Sequence, residues 1–217
     1  MLKLLPLLLF LSSCTLGPGI FESRYSGDLE RRSIRRIAVL PPEAKPVAER
    51  APSPYVSPPA APLKEEAAAS VLSDHIYSTM ASFAQWQIVS EREVREAVSM
   101  IPKGSEAARA KNLGELVHAD AVVSSKVLRY RERVGEEWGA KSPASVSFVM
   151  ELWDVKRGEV VWSGRFDETQ RALSENIFAL FEFTQRGVRW LKAEELALEG
   201  VKKAVADLHQ ALYRGIT

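Results

Sequence analysis

A single cysteine, Cys14, stands in the 217 residues, so no internal disulfide can form and the chain has to be held by a packed core. No apolar run approaches the roughly 20 residues of a membrane-spanning helix. The stretch from Leu4 to Leu11 stops at Ser12, far short of that. Neither sign of charge predominates, with 29 Lys plus Arg against 28 Asp plus Glu, and this excludes a globally basic nucleic-acid binder. Only three histidines are present, His75, His118 and His209, and none begins an HExxH spacing. No GxSxG elbow, Walker loop or GxGxxG stands between a strand and a helix. Asp167-Glu168 and Glu194-Glu195 are adjacent carboxylates at element ends, where such charges are usually solvated or complement a helix dipole. The expectation is a protein that is not an enzyme and holds no cofactor or metal.

What is present begins at the N-terminus. A basic Lys3, the apolar run and Ser12-Ser13-Cys14 follow the order of a secretory signal peptide. Leu11-Ser12-Ser13-Cys14 looks like a lipobox, with cleavage between Ser13 and Cys14 once the thiol is acylated. Several fatty chains, palmitate among them, give stable anchoring where one alone is marginal. Thr15 stands where lipoproteins retained in the inner membrane often have Asp. The resemblance to that sorting rule implies a periplasm-facing lipoprotein of the cell outer membrane.

The expected organisation is a signal peptide over 1–13, a lipidated tether over 14–33, and a single α/β domain over 34–217. Residues 14–33 carry few apolar side chains and several Gly, Ser and charged positions. Arg31, Arg32, Arg35 and Arg36 read as a solvated strand flank in preference to an anionic-lipid or nucleic-acid patch. Between Pro41 and Pro62 lie eight of the twelve prolines, a long proline-rich loop.

Ile37 to Leu40 suits a buried first strand ended by Pro41-Pro42. Val71, Leu72, His75, Ile76, Thr79, Met80 and Phe83 recur at helical spacing. Gln87-Ile88-Val89 predicts a short strand, and Ser90 with Glu93 a capping box for a helix carrying Val94, Ala97, Val98 and Ile101. From Glu106 a further helix brings Ala110, Leu113, Leu116 and Val117 to one side. Three clear strands follow, Ala121 to Tyr130, Ser145 to Val155 and Val160 to Asp167, the last two joined by a tight turn with Gly158 at a position suited to positive φ. Helices are expected around Leu173 to Phe181 and from Ala193 onward. Together these predict an α/β fold, a mixed sheet of about five strands with a parallel start and a C-terminal antiparallel meander, packed by helices.

Arg36-Ile37-Ala38-Val39-Leu40-Pro41, Trp86 to Arg92, Ala119 to Val123, and Leu152-Trp153-Asp154-Val155 through Gly158 to Trp162 resemble the pattern of the curli-secretion lipoprotein family. They are equally similar to the penicillin-binding-protein activator lipoproteins and to the N-terminal domain of the Tol-system translocation protein. The chain departs from that pattern in Ser124-Ser125, where a glycine is often found, and in the length of the proline-rich loop. A curli-type pore would also need membrane-crossing hairpins of about 9 to 11 residues per strand. The charged segment Arg131 to Lys141 does not supply them.

The resemblance implies a protein-binding adaptor or regulator of cell-envelope assembly, held to the membrane through lipid on Cys14 and binding an envelope protein. The alternatives are a subunit of an oligomeric curli-type secretion complex, which leaves self-association open, and a periplasmic hydrolase. Aromatics and arginines gather between Phe166 and Leu191, and Arg186, Arg189 and Trp190 fall in the connection between two helices. Those residue types recur among interface anchors, so these three are the candidate partner-binding residues.

Overall fold

The computed structural model describes residues 20–44, 65–136, 139–170 and 190–214. The signal segment, Cys14, most of the proline-rich loop, the helix expected around Leu173 to Phe181, and both Arg186 and Arg189 lie outside these.

A seven-stranded sheet forms the middle of the fold. Its strands are β1 (Ile20–Tyr25), β2 (Arg36–Val39), β3 (Glu43–Ala44), β4 (Gln87–Ile88), β5 (Ala121–Arg131), β8 (Ser145–Asp154) and β9 (Glu159–Thr169). The order across the sheet is β1-β9-β8-β5-β2-β4, and β3 pairs with β5 beyond the end of β2. β2 and β3 run parallel to β5, and β4 parallel to β2, whereas β5, β8, β9 and β1 are successively antiparallel. The parallel start and antiparallel meander are therefore both present, in an open mixed α/β sheet that is not a barrel. A separate two-stranded hairpin, β6 (Val134–Glu136) and β7 (Gly139–Ser142), stands between β5 and β8.

Four helices occur among the described residues: α1 (Glu65–Met80), α2 (Glu91–Met100), α3 (Glu106–Leu116) and α4 (Ala193–Tyr213). Their placement explains the two kinds of strand. Ile37 and Val39 enter one apolar cluster while Ala38 and Leu40 enter another, because helices lie on both faces of β2. A strand covered twice reads as a continuous apolar run. β8 alternates instead: Val146, Phe148, Met150 and Leu152 pack under α1 and α4, and the side chains between them point away. α1 buries Ala68, Leu72, Ile76 and Met80, one residue per turn, and α4 buries a stripe from Leu196 to Leu212. On the other face α2 and α3 supply Val94, Ala97, Ala110, Leu113 and Val117. The Ser90 hydroxyl accepts from the Glu93 N–H at 3.3 Å and caps α2, whereas the Glu93 carboxylate pairs with Arg36 and does not complete the expected box; Gly158 turns the β8–β9 hairpin at φ +68°.

The structure differs from the sequence reading in three places and adds one hairpin to it. Strand structure is present ahead of Ile34: all six residues of β1 pair with β9, Leu29 is buried, and residues 20–25 of the tether expected over 14–33 are in the sheet. An edge strand needs only one apolar face, here little more than Phe21 against the core, so the charged Glu22 and Arg24 conceal it. Glu43–Ala44 of the proline-rich loop pairs with β5. The charged segment after Arg131 folds as β6–β7. Leu116 is 48% exposed and does not share the buried side of α3.

Candidate functional site

The sheet face turned away from α4 is the most distinctive polar surface among the described residues. α3 covers β5 and the adjoining end of β8, and among the described residues no helix covers the rest of the outer face of β8, β9 and β1. Cross-strand pairing sets its rows. Arg129, Ser147, Asp167 and Ile20 align in one, Lys126, Val149, Arg165 and Glu22 in the next, and Ser124, Glu151, Ser163 and Arg24 in the third. Glu43 of β3 lies beside Lys126 and extends the middle row.

One local irregularity decides which residues reach this face. Val127 pairs with Phe148 and Arg129 with Ser147, so Leu128 is an extra residue in β5. Such a bulge reverses the inside–outside alternation beyond it. Tyr130 is thereby sent into the core and Arg129 outward. Arg129 there pairs with Asp167 and donates to the Ser145 hydroxyl at 2.6 Å, while Asp167 also receives Arg165 at 3.2 Å. Burial pushes the Asp167 carboxyl up, but Arg129 and then Arg165 outweigh it and hold it below its ordinary range.

A second group centres on Lys126, which pairs with Glu106 of α3; Arg109 of the same helix pairs with Glu43. Burial acts to lower the Lys126 ammonium, yet the hydrogen bond and charge of Glu106, with Glu151 and Glu43, leave it raised. Glu151 is raised by its own burial first and by Glu106 second, against the pull of Lys126. Trp153 is half-buried at the margin of this group and donates from Nε1 to the Ser124 hydroxyl at 3.0 Å. The surface is thus fixed by cross-strand ion pairs and hydroxyl contacts. It presents charge and one half-buried indole in set positions over the buried hydroxyls of Ser124, Ser145 and Ser147, a chemistry suited to recognition.

The residues singled out in the sequence are dispersed. Trp190 is buried at 9% exposure, and its carbonyl accepts from Arg133 at 2.5 Å. Arg186 and Arg189 precede it outside the described residues, as does Cys14 far upstream. His75 lies on α1, and His118 follows α3 with φ +50°. His209 on α4 is enclosed by rings, 4.5 Å from Phe83, 4.8 Å from Tyr213 and 5.4 Å from Trp86. Among the described residues no three His, Cys, Asp or Glu side chains are grouped to hold a metal ion. In the arginine cluster, Arg32 binds Asp154 at 2.7 Å, Glu159 at 2.8 Å and Asp28 at 3.0 Å, and Arg36 binds Glu93 at 3.0 Å.

Of this face, the sequence reading placed the strands that carry it, Ser145 to Val155 and Val160 to Asp167. It missed Arg129, Lys126 and Arg165. The strand period points to Lys126 and Arg165 on the outer side, but Arg129 depends on a bulge that no local motif marks.

Residues 67–167 match the family model described as "Peptidoglycan-synthase activator LpoB". No curated protein matches the chain. Among solved structures, the chain is similar to the PelC dodecamer from Paraburkholderia phytofirmans, at 17% identity over 88% of this chain and 96% of that one, with a TM-score of 0.44. It is similar to lipoprotein GNA1162 from Neisseria meningitidis, at 17% identity over 71% and 97%, TM-score 0.42. It is also similar to the LpoB C-terminal domain from Escherichia coli, at 17% identity over 63% and 83%, TM-score 0.39. From residue 67 to residue 167, then, the chain carries the pattern of the peptidoglycan-synthase activators, one of the three groups that its strand motifs resemble.

Proposed function

We propose that this chain is a lipoprotein anchored through Cys14 to the periplasmic side of the outer membrane, and that its domain binds a protein of the peptidoglycan-synthesising machinery as a regulator. The observation that carries the reading is the family match over residues 67–167, because that segment contains α2, α3, β5, β8 and most of β9, and with them the part of the polar face that β1 and β3 border. The face is ordered by its own ion pairs, so little side-chain freedom is lost when a partner is met. Arg186 and Arg189, shortly before the buried Trp190, are proposed as further contacts of the same kind.

The test adds the mature chain, in detergent, to a peptidoglycan synthase of the same organism and follows the rate of glycan polymerisation. Stimulation by the wild type, lost in Arg24→Glu together with Arg165→Glu at unchanged melting temperature, is the expected result. Both side chains are exposed and outside the core, so the substitutions alter charge without altering packing. No stimulation by the wild type, or full stimulation by the variant, would dismiss the reading or the face, respectively.

A further inference from the structure

We infer that the end of the sheet bearing hairpin β6–β7 faces the phospholipid headgroups, held there by the short connection from an acylated Cys14; this rests on the lipid anchor proposed above. Ile20, the first residue of β1, pairs with Asp167 near the end of β9. Asp167 is next to Ser147, and Ser147 next to Arg129, two residues before the end of β5. β1 therefore starts at the end of the sheet where β5 runs into the hairpin. Only Thr15 to Gly19 separate Cys14 from Ile20, a span of at most about 20 Å even when fully extended.

α4 fixes the direction. Its first N–H, that of Ala193, donates to the Glu132 carboxylate at 3.3 Å, and Arg133 holds the Trp190 carbonyl, so the helix begins at the hairpin end. It then runs for 21 residues, about 30 Å. Immediately after it, Arg214 meets the hydroxyl of Tyr25, the last residue of β1. The β8–β9 turn, with Lys156 exposed, shares that far end. At the near end Val134 is 41% exposed and Lys141 is exposed. Glu136 of the same hairpin is exposed as well, and a small apolar contact flanked by one charge of each sign suits a boundary of zwitterionic headgroups. The consequence is a working radius: connection and domain together reach about 50 Å from the bilayer, and a partner has to enter that zone.

The experiment uses the full chain, expressed and processed in a didermal host and reconstituted in vesicles of phosphatidylethanolamine and phosphatidylglycerol with a headgroup-spin-labelled lipid. A fluorescent maleimide is placed at Val134→Cys or at Lys156→Cys, both exposed positions. Quenching severalfold stronger at 134 than at 156 is expected. Inserting about 20 Gly/Ser residues after Leu16 adds a root-mean-square reach of about 25 Å and should bring the two signals together. Equal or reversed quenching in the uninserted chain overturns the orientation, and a difference that survives the insertion overturns the connection as its cause. The unsubstituted chain serves as the separate check, because acylation leaves it no free thiol. If the maleimide labels it, the lipid anchor itself has failed, and the orientation with it.

Discussion

The contact between α4 and the sheet can be tested at a single pair. Gly200 faces the Phe166 ring so closely that an added Cβ would lie 2.6 to 2.8 Å from three of its carbons. Phe166 is fully buried, with its ring 5.3 Å from that of Phe148, and has little room to retreat. Gly200→Ala combines two opposed effects. Alanine favours a helix interior over glycine by about 1 kcal/mol. Overpacking a filled core costs about 1–3 kcal/mol. The net loss in the wild type is therefore modest, whereas Phe166→Ala alone should cost about 3–5 kcal/mol through lost burial and a cavity. The informative quantity is the double variant. With the ring gone the clash disappears and only the helix preference remains, so Gly200→Ala should be neutral or stabilising in that background. The coupling is then about 1–3 kcal/mol, outside the roughly 0.5 kcal/mol scatter of independent sites. Urea unfolding of all four proteins at one temperature measures it. Additive effects would show that α4 does not press on Phe166 and would refute the packing argument.

Burial holds the His209 imidazole below its ordinary 6.5, so the unfolded chain takes up its proton before the folded one does. This contribution to stability is complete above about pH 6.5 and is lost as pH falls through the depressed folded value. The urea midpoint should drop between pH 7.5 and 5.5, and His209→Phe should flatten that drop; an unchanged slope would exonerate the histidine. Trp190→Ala should lower the melting temperature, since the truncated ring is buried, by about 3 kcal/mol of stability. Arg189→Ala should reduce recovery of the envelope partner at wild-type melting; the reverse pattern for the two would exchange their roles. Cys14→Ser should leave an unprocessed precursor that takes up no labelled fatty acid, and incorporation equal to wild type would contradict the lipobox.

The period of apolar residues was sufficient to place α1, α2, α3 and α4 and the strands β2, β4, β5, β8 and β9. Each of these buries a face against something else, and burial imposes a spacing that the sequence displays. Ser90 and Gly158 were legible for the same reason, because a cap and a positive φ make local demands on residue type. β1 and hairpin β6–β7 were not legible. They bury little, so their positions follow from hydrogen bonds to a neighbouring strand, and a polar sequence satisfies those as well as an apolar one.

The candidate site divides along the same line. By itself the sequence determined a mixed α/β domain, the strands that carry the face and a lone cysteine in lipobox context, since all three are local patterns. Only the tertiary structure decided that Arg129 turns outward at the Leu128 bulge, that Lys126 meets Glu106 from another element, and that β1 begins beside the hairpin end of the sheet. Those outcomes depend on register and on elements distant in the chain, where one residue's shift exchanges the faces of a strand and no local propensity records which register wins.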